Sequence, residues 1–159
     1  MPTCRRASER DIPALVQLIN RAYEIEAFFV TGDRTDAAEV NGLFAAGDFI
    51  VLEVEPGAPI AGCVYIAARP DARAYLGLLS VEPGAQKAGM GRRLVDAAEE
   101  HARGLGARFM ELRVIDLREE LPVWYGRLGY QVTGEEEIPD EKTERFTRPV
   151  KFLRMEKVL

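Results

Sequence analysis

Residues 74–103 change hydrophobic period abruptly, and this change restricts the fold more than any other feature. Residues 74–81 are apolar almost throughout, as expected of a strand buried on both faces. Residues 89–103 instead place Leu94, Val95, Ala98 and Ala102 on one helical face and charges on the other. Such a chain must lay an amphipathic helix back over a sheet. Gly89 and Gly91 stand where that helix begins. Glycines there let the backbone approach a ligand closely. The N–H groups of a first helical turn have no internal partner, and the positive end of the helix dipole lies behind them. That arrangement suits an anion such as a pyrophosphate.

Upstream, Ser8-Glu9-Arg10-Asp11 reads as a helix start, with Ile12, Leu15, Leu18, Ile19 and Ala22 at helical spacing. Pro13 is tolerated only near a helix start, which favours Asp11 as the effective cap. Residues 24–34 show no clean period. Thr35 or Asp36 can cap a second, short helix through Val40, Leu43 and Phe44, ended by Gly47. Residues 48–54 and 60–67 read as a hairpin across a turn rich in proline and glycine. Downstream, residues 109–114 predict a strand and residues 121–128 a short helix closed by Gly129. Residues 130–133 and 150–158 predict the last strands, separated by the acidic stretch 134–144. That stretch could attract a cationic amine, but a solvated connection is the plainer reading. One mixed α+β domain over residues 1–159 is expected.

Composition excludes several classes. The chain of 159 residues is 47% hydrophobic and 30% charged, an ordinary globular balance. Its formal net charge of -5 speaks against a nucleic-acid partner. No apolar run approaches membrane-spanning length, so no membrane partner is expected and a cytoplasmic protein is the default. Cys4 and Cys63 form no framework, and Cys63 reads as a small core residue. With one histidine, His101, and no zinc spacing, neither a metal site nor a Ser-His-Asp triad is expected. His101 itself reads as a solvated surface position.

Two nucleotide motifs fail on particular residues. A dinucleotide fingerprint needs a third glycine where Leu94 stands. Gly84 and Gly89 have the glycine spacing of a P-loop, but Met90-Gly91 follow where Lys-Ser or Lys-Thr is required. What remains is Val81-Glu82-Pro83, then Gln86-x-x-Gly89-x-Gly91, then Leu94. This resembles the coenzyme A motif of the GNAT superfamily of N-acetyltransferases. The resemblance implies a GNAT-like mixed, mostly antiparallel sheet flanked by helices on both faces. It implies that backbone amides of Gln86, Lys87, Ala88, Gly89, Met90 and Gly91 hold the pyrophosphate. It also implies that Leu79, Ser80 and Val81 pair with the pantetheine arm. Lys87 departs from the family's usual glycine. Its charge, like that of Arg92, could help a phosphate or simply face water.

A second motif follows in the expected order. Trp124-Tyr125-Gly126-Arg127-Leu128-Gly129-Tyr130 resembles the family's later pattern of aromatic-Tyr-x-Lys/Arg-x-Gly-Phe/Tyr. By that match Tyr125 is the candidate general acid, protonating a departing coenzyme A thiolate. A backbone N–H near Val81 could stabilise the oxyanion. The competing reading of Tyr125 is a core or rim aromatic. Arg118 occupies a position where the family often has Asn contacting coenzyme A, and Leu121 replaces a usual Ala; either Arg118 takes up that contact or the contact is lost.

For the acceptor side, Glu26, Glu53 and Glu111 are candidate proton acceptors. Glu26 ranks first, beside Phe28 and Phe29 in a segment that commonly lines the family's acceptor site. Phe28 and Phe29 could wall that site or merely pack between helices. Arg34 could bind an acceptor carboxylate or face water. The expectation is acetyl transfer from acetyl-coenzyme A to a primary amine of a small molecule or peptide, with no metal. The alternative is a non-catalytic acyl-coenzyme A-binding sensor or assembly module on the same fold. A homodimer is left open.

Overall fold

The computed structural model describes residues 2–85 and 88–159. Its strands are β1 (Thr3–Arg6), β2 (Asp48–Glu53), β3 (Ile60–Arg69), β4 (Arg73–Val81), β5 (Phe109–Ile115), β6 (Gln131–Glu137) and β7 (Lys151–Val158). They form one sheet in the order β1-β2-β3-β4-β5-β7-β6, antiparallel except for the β4–β5 pair. The helices are α1 (Ile12–Ala22), α2 (Ala37–Ala46), α3 (Met90–Gly104) and α4 (Glu120–Arg127). The α+β fold expected from the sequence is the fold observed. Among the described residues, no helix is long and apolar enough to cross a membrane.

The central strands are buried on both faces because alternate side chains serve two cores. On one side Leu94, Val95, Ala98 and Ala102 of α3 meet Ile50, Leu52, Val64 and Ile66. On the other, Leu15, Leu18 and Ile19 of α1 meet Phe49, Val51 and Cys63. Asp36, rather than Thr35, caps α2, accepting the Glu39 N–H at 2.8 Å. Gly129 follows α4 at φ 100, a left-handed turn that glycine adopts without strain.

Three expectations need correction. β1 went unseen because its four residues, TCRR, are largely exposed and carry no apolar alternation. Its pairing with β2 is cemented by Arg6–Asp48 at 2.6 Å. β6 runs on through Glu135–Glu137, so part of the acidic stretch is strand. Its charges are matched across the ladder by Lys151, Arg154 and Arg113. His101 is not simply solvated: its ring lies 2.8 Å from Asp48, which ties α3 to β2.

One irregularity sets the middle of the sheet. Between Cys63↔Ser80 and Tyr65↔Gly77, β4 carries one residue more than β3. Leu78 sits there at φ 50, a conformation uncommon for leucine. Such a bulge sharpens local twist. β4 and β5 pair only from Arg73↔Phe109 to Tyr75↔Glu111. Beyond that β4 stays with β3 and β5 stays with β7, and the sheet opens.

α3 packs on β2, β3 and β4, so its core residues should weigh heavily on stability. Leu94 has no exposed surface. Leu94→Ala is expected to lower the unfolding free energy by about 2–5 kcal/mol in urea denaturation.

Candidate active site

A cavity of about 620 Å³ occupies the gap between the diverging strands. Leu79 and Val81 border it from β4, Val114 and Ile115 from β5, and Trp124 and Tyr125 from α4. It extends over the sheet face beside α1, reaching Tyr23, Glu26 and Arg34. The strand end that leads into the glycine loop, the α4 motif and two acceptor-side candidates, Glu26 and Arg34, are separate in sequence and meet on one space.

The glycine loop lies where α3 begins. Gln86 and Lys87 fall outside the described residues. Gly89 caps the helix at φ 77, and the first helical bond runs from Arg93 N–H to the Gly89 carbonyl at 3.2 Å. The N–H groups of Met90, Gly91 and Arg92 therefore precede any helical partner. The Met90 side chain is buried in the core, so only its backbone is on offer. Ala88 and Arg92 are exposed. A Cβ on Gly91 would stand 3.2 Å from the Trp124 ring, so the helix start rests on α4. Ser80 turns its hydroxyl inward to the Leu78 carbonyl at 3.0 Å and is 1% exposed, leaving its backbone alone for a ligand.

Tyr125 is buried and stands edge-on between Trp124 and Tyr130, with ring centroids 4.9 and 5.7 Å away. Burial pushes its phenol far above the ordinary range. Tyr23 and Tyr75 add to the shift, and Arg118 opposes it. The phenol thus keeps its proton throughout the neutral range. No hydrogen bond from its hydroxyl to another described residue is present.

Tyr23 and Tyr75 were not anticipated. Burial pushes Tyr23 up to about 12. Tyr75 lies along β4 over Gly77, where an added Cβ would come within 2.7 Å of its ring. Nothing in the sequence singled them out: Tyr23 continues the apolar spacing of α1, and Tyr75 fits the strand pattern.

Glu26 is buried on the cavity wall within a 3-10 segment, Tyr23–Phe28. Arg118 donates to its Oε2 at 3.0 Å and to Glu120 at 2.9 Å. Arg118, a candidate coenzyme contact, borders the cavity, and its guanidinium is engaged by these two carboxylates. Burial raises the Glu26 carboxyl above its ordinary 4.5, while Arg118, Arg34 and Arg145 pull it down. The other carboxylates considered lie off the cavity, Glu53 beside Arg5 at 3.4 Å and Glu111 beside Arg73 at 3.7 Å.

The expectation that Phe28 and Phe29 wall the site is corrected. Phe29 has no exposed surface and packs with Ile115 and Ile138. Phe28 is 49% exposed, with Arg148 over its ring. Neither borders the cavity. Arg34 does, held over the Tyr23 ring at 5.3 Å.

Residues 45–132, which carry the bulge, the glycine loop and Tyr125, match the family described as "Acetyltransferase (GNAT) domain". The chain belongs to the GNAT acetyltransferase family. Solved structures of similar fold extend the likeness over the whole chain. The ribosomal-protein-S18-alanine N-acetyltransferase of Escherichia coli is 16% identical, with a TM-score of 0.78 over 99% of this chain and 94% of that one. The ribosomal-protein-alanine N-acetyltransferase of Brucella melitensis is 20% identical, with a TM-score of 0.77 over 99% of both chains. An IAA acetyltransferase from Bacillus cereus is 15% identical, with a TM-score of 0.77 over 100% of both. At these identities they show the GNAT fold alone. No curated protein matches in sequence.

The Glu26–Arg118 pair makes stability depend on pH. A carboxyl with a raised folded pKa favours folding below its unfolded value and loses that benefit as pH rises through the folded value. Arg118→Gln removes the cation that limits the rise. Its destabilisation should therefore be small near pH 4.5 and grow by pH 8, read from urea denaturation. Adding Glu26→Gln should abolish the pH dependence of the loss.

Proposed function

We propose that this GNAT protein moves an acetyl group from acetyl-coenzyme A, the family's usual donor, to a primary amine of a small molecule or peptide. The observation that carries the reading is Tyr125: a proton-bearing phenol on the cavity where β4 and β5 part. The first-turn N–H groups of α3 fit a pyrophosphate. β4 beyond Tyr75 has β3 on one side and the cavity on the other. Its edge at Leu79 fits an amide-bearing arm, which would pair with it as a strand does.

Coenzyme, when bound, supplies the acetyl thioester. Glu26 accepts a proton from the acceptor ammonium, directly or through a water, at the Oε1 that Arg118 leaves open. The amine nitrogen then bonds to the acetyl carbon, and the carbon–sulfur bond breaks. Tyr125 gives its proton to the departing sulfur, and the second proton that the nitrogen sheds as the amide forms returns to the phenolate, directly or through a water. The raised Glu26 carboxyl makes it a stronger base than an ordinary glutamate.

Thiol release from acetyl-coenzyme A, measured against a panel of amines, tests this. Tyr125→Phe should lower kcat by about 10²-fold or more at unchanged thermal stability. Full turnover in that variant would remove Tyr125 from the acid role. For Glu26, kcat should fall with decreasing pH through a value above 4.5, and this limb should vanish in Glu26→Gln. Thermal stabilisation by acetyl-coenzyme A without turnover of any amine would favour a non-catalytic module instead.

A further inference from the structure

The cavity carries more positive charge than the proposed chemistry uses. Arg34, Arg69, Arg113, Arg118, Lys142 and Arg145 border it, against Glu26, Glu39, Glu136 and Glu137. Six cations against four carboxylates leave +2, within a chain of formal charge -5. Some of these cations are answered. Arg118 meets Glu26 at 3.0 Å, Arg113 meets Glu136 at 2.6 Å, and Arg34 meets Glu39 only at 3.7 Å. Arg145 has no carboxylate partner among the described residues. Its Nη2 donates to the carbonyls of Asp33 and Arg34 at 3.2 and 3.3 Å. Carbonyls hold a guanidinium in place without cancelling its charge.

Arg34 and Arg145 are fixed in position together. Asn20 clamps the backbone beside Arg34, accepting from Thr35 N–H at 2.9 Å and donating to the Thr35 carbonyl at 3.1 Å. Thr31 N–H donates to the Arg145 carbonyl at 2.8 Å, and Val30 bridges to Phe146. The segment between α1 and α2 is thus stitched to the segment before β7. The charges of Arg34 and Arg145, with that of Arg118, are all felt at the single carboxylate of Glu26. Three guanidinium groups around one buried carboxylate form an incomplete set of charges.

We propose that the amine acceptor also carries an anionic oxygen group, a carboxylate or a phosphonate, bound by Arg34 and Arg145 while its amine faces Glu26. This deepens the acceptor reading above and rests on it. Free amino acids and aminophosphonates fit, whereas amines without an anion leave the two guanidinium groups unanswered. Arginine's planar fork matches both oxygen groups.

Product analogues test the site without requiring turnover. The protein with coenzyme A is titrated calorimetrically with N-acetyl amino acids and N-acetylaminomethylphosphonate. Each is compared with its uncharged carboxamide or phosphonate diester. At least one acid should bind about 10-fold or more tighter than its neutral partner, as charge-assisted hydrogen bonds require. A carboxylate preference and a phosphonate preference separate the two sources. Arg34→Gln and Arg145→Gln should each erase most of the difference; Arg34→Gln touches no backbone carbonyl and guards against a folding defect. Acids and neutral partners binding alike, or not at all, would overturn the proposal, as would selectivity kept in both variants. Acid-selective binding without acetyl transfer would sink only the enzymatic reading. Turnover of neutral amines with kcat/KM equal to that of acids would sink only this one.

Discussion

The parting of β4 from β5 beyond Tyr75 and Glu111 is the feature on which the rest depends. A continuous sheet would have no space between these strands and no free strand edge. The bulge at Leu78 turns β4 away, at a local cost of about 1–3 kcal/mol for a leucine held at φ 50. Burial on both faces offsets that cost. α3 covers one side of the opened sheet and α1 the other. The opening then places three things on one cavity: the strand edge, the α4 tyrosine and the wall formed after α1.

The electrostatics of that cavity divide by type of group. The phenols of Tyr23 and Tyr125 are driven toward the neutral form by burial, and Tyr23 adds to the rise at Tyr125. Its carboxylate of interest is pulled both ways, upward by burial and downward by arginines. Burial thus favours the protonated form of both the phenol and the carboxyl, and the arginines oppose it at Glu26. Glu26 and Arg118 form one unit here. Arg118, a candidate coenzyme contact, holds the carboxylate that is the candidate base.

Much of the fold was legible because its periods were clean. Residues 74–103 gave both the buried strand and the amphipathic helix, and the four helices fell where capping and spacing placed them. β1 was illegible because edge pairing needs no apolar alternation, and β6 was shortened because its acidic residues are neutralised only across strands. Motifs singled out the glycine loop at the start of α3 and Tyr125 on the cavity wall. Phe28 and Phe29 misled because adjacent aromatics in an irregular segment do not reveal which one enters the core. Arg145 was invisible because it reaches the cavity through a bridge between segments more than 100 residues apart. The extra residue at Leu78 leaves no mark in a run of apolar residues.

A crystal structure with acetyl-coenzyme A tests the role of the opened sheet most directly. The pantetheine arm should lie between β4 and β5, paired with the backbone near Leu79. The pyrophosphate should sit at the first turn of α3, and the thioester sulfur within hydrogen-bond reach of the Tyr125 hydroxyl. A coenzyme bound outside that gap, or a sulfur turned away from Tyr125, would contradict the mechanism.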